Sequence, residues 1–216
     1  RVLQETGGMN RRHLDSVGVT MLIRKIMEDK KSDLKMFRRS ADKQGFIAQM
    51  DEMLKEFKRY CIDPEQVRVF HDETEELPEG LRDKLHDLDL IYQQFEEELI
   101  GKYLDSEDYF KLLVEKMADS SYLASATIYM DGFYSLTPQE LLIVAGLLKH
   151  SRHVTVSLTL DQPFRQNPPD ALHLFRQTGS TYYDIYQSAL KQGLSIEEDM
   201  VLEAEGRYTG SPSLKH

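Results

Sequence analysis

An acidic residue at the point where a short apolar run gives way to a helix is placed to hold a metal-bound phosphate. Residues 126–150, ATIYMDGFYSLTPQELLIVAGLLKH, carry one such residue, Asp131. In an open parallel sheet, ligands bind beyond the carboxyl ends of the strands, which is where this joint falls. Nucleotide hydrolases often place Asp before Glu there, the first for the metal and the second for the attacking water. Here Gly132 follows Asp131. Two readings stand: a nucleotide site without its water-organising carboxylate, or a turn made by Gly132 and capped by Asp131. A second acidic residue, Asp161, followed by Gln162, closes the run HVTVSLTLD. If both runs are strands of one sheet, the two carboxylates share an edge.

Other reactive residue types are sparse. Cys61 is the single cysteine, which excludes a disulfide framework or a thiolate cluster within this chain. It reads as a packed thiol in a reducing, cytoplasmic setting. His13, His71, His86, His150, His153, His173 and His216 are scattered. His150 and His153 have a metal-like spacing, but no local carboxylate or thiol joins them, so no metal site is expected. Tyr182, Tyr183 and Tyr186 lie near one another on a helical pattern; they offer either a stacking surface for bases or core packing.

Charge divides the chain. The net charge of −10 argues against a nucleic-acid-wrapping surface over the whole length. The first sixty residues are nevertheless rich in Lys and Arg, while DETEELPEG and FEEEL are acidic. Lys31, Lys35, Arg38, Arg39, Lys43, Lys55, Lys58 and Arg59 are the candidates for phosphate contact. The plainer reading of the same residues is solvated helix surface.

These residues need elements to position them. LDSVGVTMLIRKIMEDKK has apolar residues at Val19, Leu22, Ile23 and Ile26, a helical spacing with Asp15 or Ser16 as N-cap. Leu34, Phe37 and Ala41 make a second stripe; Ile47, Met50, Leu54 and Phe57 make a third, with Gly45 between two helices. Asp63-Pro64 opens another helix. A long helix follows, with Leu81, Leu85, Leu88, Ile91, Tyr92, Phe95 and Leu99 inward, then one capped by Asp105 or Ser106. No strand pattern precedes residue 125. Beyond it, SATIYM and HVTVSLTLD flank a helix that starts Thr137-Pro138 with Glu140 in a capping box. Strand, helix, strand with short joints is a parallel βαβ unit. A Pro-rich loop, a helix over STYYDIYQSALKQG closing on Gly193, and a third strand over SIEEDMVLEA complete the pattern.

The expected fold is mostly α with a small parallel α/β portion: an all-helical subdomain over 1–124 and part of a nucleotide-fold core over 125–216. Two or three strands do not make a stable parallel sheet alone, which places the first strands upstream. The chain opens on Arg in mid-pattern and reads as a piece of something longer. There is no run of ~20 apolar residues for a membrane span, and the polar N-terminus with Glu5 does not read as a signal peptide.

IYMDGFYSLTPQE, together with VLQETGG, GFIAQMDEMLKEFKRYC, KLHDLDLIYQQFEEEL, YLDSEDYFKLL, VTVSLTLDQP and LHLFRQTGSTYYDIY, resembles the AddB family over essentially the full chain. These are the B subunits of the bacterial ATP-dependent helicase–nucleases AddAB, of the Bacillus type, related to UvrD/Rep-like helicases. The resemblance implies a P-loop NTPase-like, UvrD-like helicase core with a helical insertion in its first motor domain. It implies processing of double-stranded DNA ends for homologous recombination, with an AddA-type helicase–nuclease subunit as partner. Magnesium, ATP and an iron–sulfur cluster are implied for the family. The chain has no Gly-Lys-Ser/Thr, one cysteine and no cluster of nuclease carboxylates, so those groups belong outside these residues, and no catalytic residue is expected within them. In UvrD-like helicases the matching joint reads Asp-Glu-Phe-Gln-Asp. Asp131-Gly132-Phe133 keeps the Asp and Phe but not the Glu. Asp161 and Gln162 loosely resemble a γ-phosphate-sensing motif. The family reading is therefore a degraded motor site at Asp131, Gly132, Asp161 and Gln162 in a scaffold that contacts DNA. A helical module that docks a partner subunit without touching DNA is the alternative.

Overall fold

The computed structural model describes residues 1–7, 12–73 and 77–202. It is mostly helical, with two small parallel pairings. The first large helices are α2 (Ser16–Asp29) and α3 (Gln44–Arg59), after a short α1 (Val2–Thr6). They are followed by α4 (Pro64–Glu73) and α5 (Glu79–Leu99). Their inward faces form one core, with Ile23 and Ile26, Met50 and Leu54, and Ile91 and Phe95 at its centre. Each such side chain contributes roughly 1.5–3 kcal/mol on burial.

Caps set the helix starts. Asp15, not Ser16, accepts from the Gly18 amide at 2.7 Å. Asp63 and Gln66 exchange side-chain and backbone hydrogen bonds, each at 2.8 Å. Asp105 and Asp108 make a capping box at the start of α6 (Ser106–Lys116). Such caps contribute about 1 kcal/mol each.

Four expectations fail in this part. The stripe of Leu34, Phe37 and Ala41 is buried, but it lies on a loop with a 3₁₀ turn at Phe37–Arg39, not on a helix. The reason is Asp87, which accepts the amides of Lys35, Met36 and Phe37 at 2.8 Å each and so competes with helical pairing. Gly45 is therefore not a break; it sits in the first turn of α3. The segment is also not purely helical: β1 (Arg12–His13) pairs in parallel with β2 (Tyr103–Leu104). Leu81 is exposed rather than inward.

Cys61 departs from expectation as well, being exposed. It follows α3 with φ 56°, in left-handed conformation. Its amide donates to the Lys58 carbonyl at 3.0 Å and that of Ile62 to Phe57 at 2.8 Å, the paired bonds of a Schellman closure.

The βαβ unit forms as read, after a short α7 (Ser121–Ser125). β3 (Thr127–Met130) and β4 (His153–Val156) are parallel neighbours, Thr127 opposite His153 and Met130 opposite Val156. Between them runs α8 (Pro138–His150), with Thr137 and Glu140 in a capping box and Pro138 in its first turn. α8 packs on α6 and on α9 (Arg176–Lys191), tying the sheet to the helical part. The alternation of burial continues from Val154 to Leu160, but pairing stops just past Val156. No strand forms over residues 195–202, and residues 203–204 lie outside the described residues. α9 starts at Arg176, earlier than the run STYYDIY suggests, and has no side-chain cap. It closes through Gly193 at φ 66°, again with Schellman bonds.

Candidate functional site

Because β3 and β4 are parallel, their carboxyl ends face the same edge. Asp131 follows Met130 directly there and is exposed. Among the described residues nothing bonds its side chain, so it does not act as the cap of the turn. Gly132 makes the turn, with φ 81°. A Glu at this position would strain the backbone by about 1–2 kcal/mol, so this turn disfavours an Asp-Glu pair here.

The rest of the loop is pinned to α9. The Thr181 hydroxyl donates to the Tyr134 carbonyl at 2.9 Å. Asp161 is not at a strand end: it lies in the loop past Val156, where its carboxylate is 3.3 Å from His173 Nε2. The other ring nitrogen of His173 accepts from the Phe175 amide at 3.1 Å, which places the ring proton on Nε2, facing Asp161. Gln162 is exposed.

On the outer side of α9, Tyr182 and Tyr186 stack one turn apart, centroids 5.9 Å and planes 10° from parallel. Arg165 lies over the Tyr186 ring at 5.8 Å. Its Nη2 and Nε reach Asp199 at 2.5 and 3.1 Å. The Tyr182 hydroxyl donates to the same carboxylate at 2.9 Å. The tyrosines are half-buried. Arg165 and Asp199 carry no signal in their spacing, since they meet Tyr182 from separate loops.

The basic candidates differ in their surroundings. Lys58 is 8% exposed, held by Asp105, Glu96 and Asp108 at 2.7, 2.8 and 2.9 Å. It is closed to a duplex in this fold. Although burial opposes its charge, these three carboxylates raise its pKa on balance. Burial in turn pushes the Glu96 carboxyl up, against the pull of Lys58. Lys55 binds Asp51 at 2.8 Å and Arg59 binds Glu107 at 3.3 Å. Lys31 meets Asp42 at 2.5 Å and Lys35 meets Asp83 at 3.5 Å. Arg38 folds back onto the carbonyls of Lys31 and Ser32. Arg39 and Lys43 are exposed and make no ion pair with another described residue.

Asp87, fully buried beneath this loop, gave no sequence signal: it reads as one more acid on a charged helix. No group of three or more metal-ligating side chains gathers among the described residues. No helix among them is long and apolar enough to cross a membrane.

A family described as "ADDB, N-terminal" matches residues 1–216. The chain is 50% identical over 213 residues to the B subunit of the ATP-dependent helicase/deoxyribonuclease from Geobacillus kaustophilus (strain HTA426), covering 96% of this chain and 18% of that protein. It is 45% identical over 220 residues to the B subunit of the same enzyme from Bacillus subtilis (strain 168), covering 100% and 19%. The corresponding Anoxybacillus flavithermus (strain DSM 21510 / WK1) protein is 50% identical over 205 residues, covering 92% and 17%. The chain thus spans about a fifth of the length of the curated relatives it matches.

Proposed function

The chain belongs to the ADDB N-terminal family along its whole length, and from that premise we propose that it is part of the B subunit of an ATP-dependent helicase/deoxyribonuclease. The parent assembly would process double-stranded DNA ends for homologous recombination in the cytoplasm, alongside an AddA-type subunit. The relatives' names support the first part of this reading, a B subunit of an ATP-dependent helicase/deoxyribonuclease.

Within that assembly, this segment serves as scaffold around a motor site that does not turn over nucleotide. Gly132 at φ 81° is the observation that carries it. Asp131 has no following carboxylate to orient water, and the loss of one such group costs roughly 2.7–4 kcal/mol of transition-state stabilisation. A single exposed aspartate does not by itself make a magnesium–ATP site, so no chemical step is assigned here. One cysteine does not fit an iron–sulfur cluster, which takes four thiolates in the common types. In the complete B subunit, Asp131→Ala should leave magnesium-dependent ATP affinity unchanged. A tenfold loss of affinity would show that Asp131 still binds magnesium–ATP, and turnover lost with Asp131→Ala would overturn the reading.

For DNA contact, the open cations Arg39 and Lys43, with Lys31 and Lys35 beside them in sequence, replace the longer candidate set. Contacts of this kind go to phosphates and ignore base sequence. In the assembled complex, Arg39→Glu with Lys43→Glu should weaken binding to duplex ends. It should also lower the log–log salt slope by about 0.9 for each phosphate no longer neutralised. Unchanged binding at low salt would favour the second reading, a docking module for a partner subunit. Lys55, Lys58 and Arg59, already engaged by carboxylates of this chain, are left out of the phosphate-contact set.

A further inference from the structure

The cluster on the outer side of α9 has the parts of a nucleotide seat. Arg165 and the Tyr182 hydroxyl converge on one anion, the Asp199 carboxylate, at 2.5–3.1 Å. Arginine together with a hydroxyl donor is equally suited to a phosphate oxygen. Beside that anion seat stand two near-parallel tyrosine rings, with the guanidinium over the second. Aromatic rings next to an anion-binding arginine are what single strands use to bind, one unit at a time, in a sequence-tolerant way.

The surroundings hold the seat in place. Gln187 Nε2 donates to the Arg165 carbonyl at 2.9 Å. Gly179 lets the loop lie close to α9, because a Cβ there would stand 2.8–2.9 Å from Pro169 and the Phe164 ring. Thr181, next to Tyr182, bonds the Tyr134 carbonyl in the loop that leaves the carboxyl edge of the sheet. That bond anchors α9, and with it the seat, to the loop. Asp199 itself lies on a segment without regular structure, residues 194–202.

We propose that Arg165, Tyr182 and Tyr186 form a seat for one nucleotide unit of single-stranded DNA, phosphate on Arg165 and Tyr182 and base on the rings, and that Asp199 occupies the phosphate position until the strand displaces it. This rests on the reading of the parent as a DNA-processing protein. Asp199 is an internal competitor: an exposed ion pair is weak enough to be displaced, at about 0.2–1 kcal/mol.

The test is photo-crosslinking of a 5-iodouracil-substituted single strand to the complete B subunit in complex with its partner, with crosslinked peptides mapped by mass spectrometry. Crosslinks to the α9 peptide should appear in the parent. They should rise roughly 1.4- to five-fold in Asp199→Ala, the removal of a competitor of that strength. They should fall at least five-fold in Arg165→Ala and Tyr186→Ala, and persist in Tyr186→Phe, which keeps the ring. Crosslinks elsewhere on the protein but none on α9 in any variant would overturn the seat and leave the DNA reading standing. An α9 crosslink unchanged by Asp199→Ala would overturn the competitor role. No crosslink anywhere on the protein would overturn the DNA reading and the seat together.

Discussion

Removing Asp87 should release the basic loop. Its carboxylate is completely buried and accepts three amides, those of Lys35, Met36 and Phe37, at 2.8 Å each. His86 Nδ1 stands 3.1 Å away as a fourth neighbour. A hydrogen bond to a charged acceptor contributes about 1.5–3 kcal/mol, so three would sum to roughly 4.5–9 kcal/mol if all donors were left dry. Only the Phe37 contact is fully buried; water can reach the Lys35 and Met36 amides once the loop lifts. Asp87→Ala should therefore destabilise the loop by about 3 kcal/mol, a dry Phe37 amide costing about 1–3 kcal/mol and the two wetter amides less each. Asp87→Asn keeps the volume but turns an amino group toward donors, and should lose about half as much. The assay is hydrogen–deuterium exchange on the peptide spanning residues 34–40 in the complete B subunit. An opening cost lowered by about 3 kcal/mol speeds exchange roughly a hundred-fold where opening limits it. Acceleration of less than about five-fold in Asp87→Ala would refute the inference that this carboxylate organises the loop.

Other outcomes follow from the same geometry. Glu5 accepts from the Ser121 and Ser120 hydroxyls and the Tyr122 amide, which hold its carboxyl down at about 2. Against an unfolded value of about 4.3, its contribution is complete above that pH and is lost as pH falls toward 2. Exchange at Ser121 and Tyr122 should accelerate across that window in the parent and show no such step in Glu5→Gln. Lys58→Met leaves Glu96, Asp105 and Asp108 without their shared cation and should cost about 3–5 kcal/mol, read as a loss of thermal stability. Cys61→Gly relieves the left-handed backbone at φ 56° and should stabilise by about 1 kcal/mol, seen as a higher urea midpoint.

What the sequence made legible was local. Thr137, Pro138 and Glu140 announce α8, and Val154 and Val156 announce a strand, because caps and alternation act within a few residues. What stayed hidden was tertiary. Leu34, Phe37 and Ala41 are buried as their spacing implies, yet Asp87 takes the local amides from about fifty positions away. The two-residue pairing of β1 with β2 has too little pattern to announce itself. Charge reads least well: Lys58 and Arg39 look alike in sequence, and only the fold shows one enclosed by carboxylates and the other open. At the sheet edge, Asp131 and Gly132 were legible as a pair, while the distance of Asp161 from its strand end was not, because alternation continues past the last hydrogen bond.

The central claim is that the edge at Asp131 and Gly132 does not run nucleotide hydrolysis. The direct measurement is DNA-stimulated ATP turnover by the complete B subunit. The account predicts no turnover above background, before or after Asp131→Ala. Turnover that is present and is abolished by Asp131→Ala would contradict it.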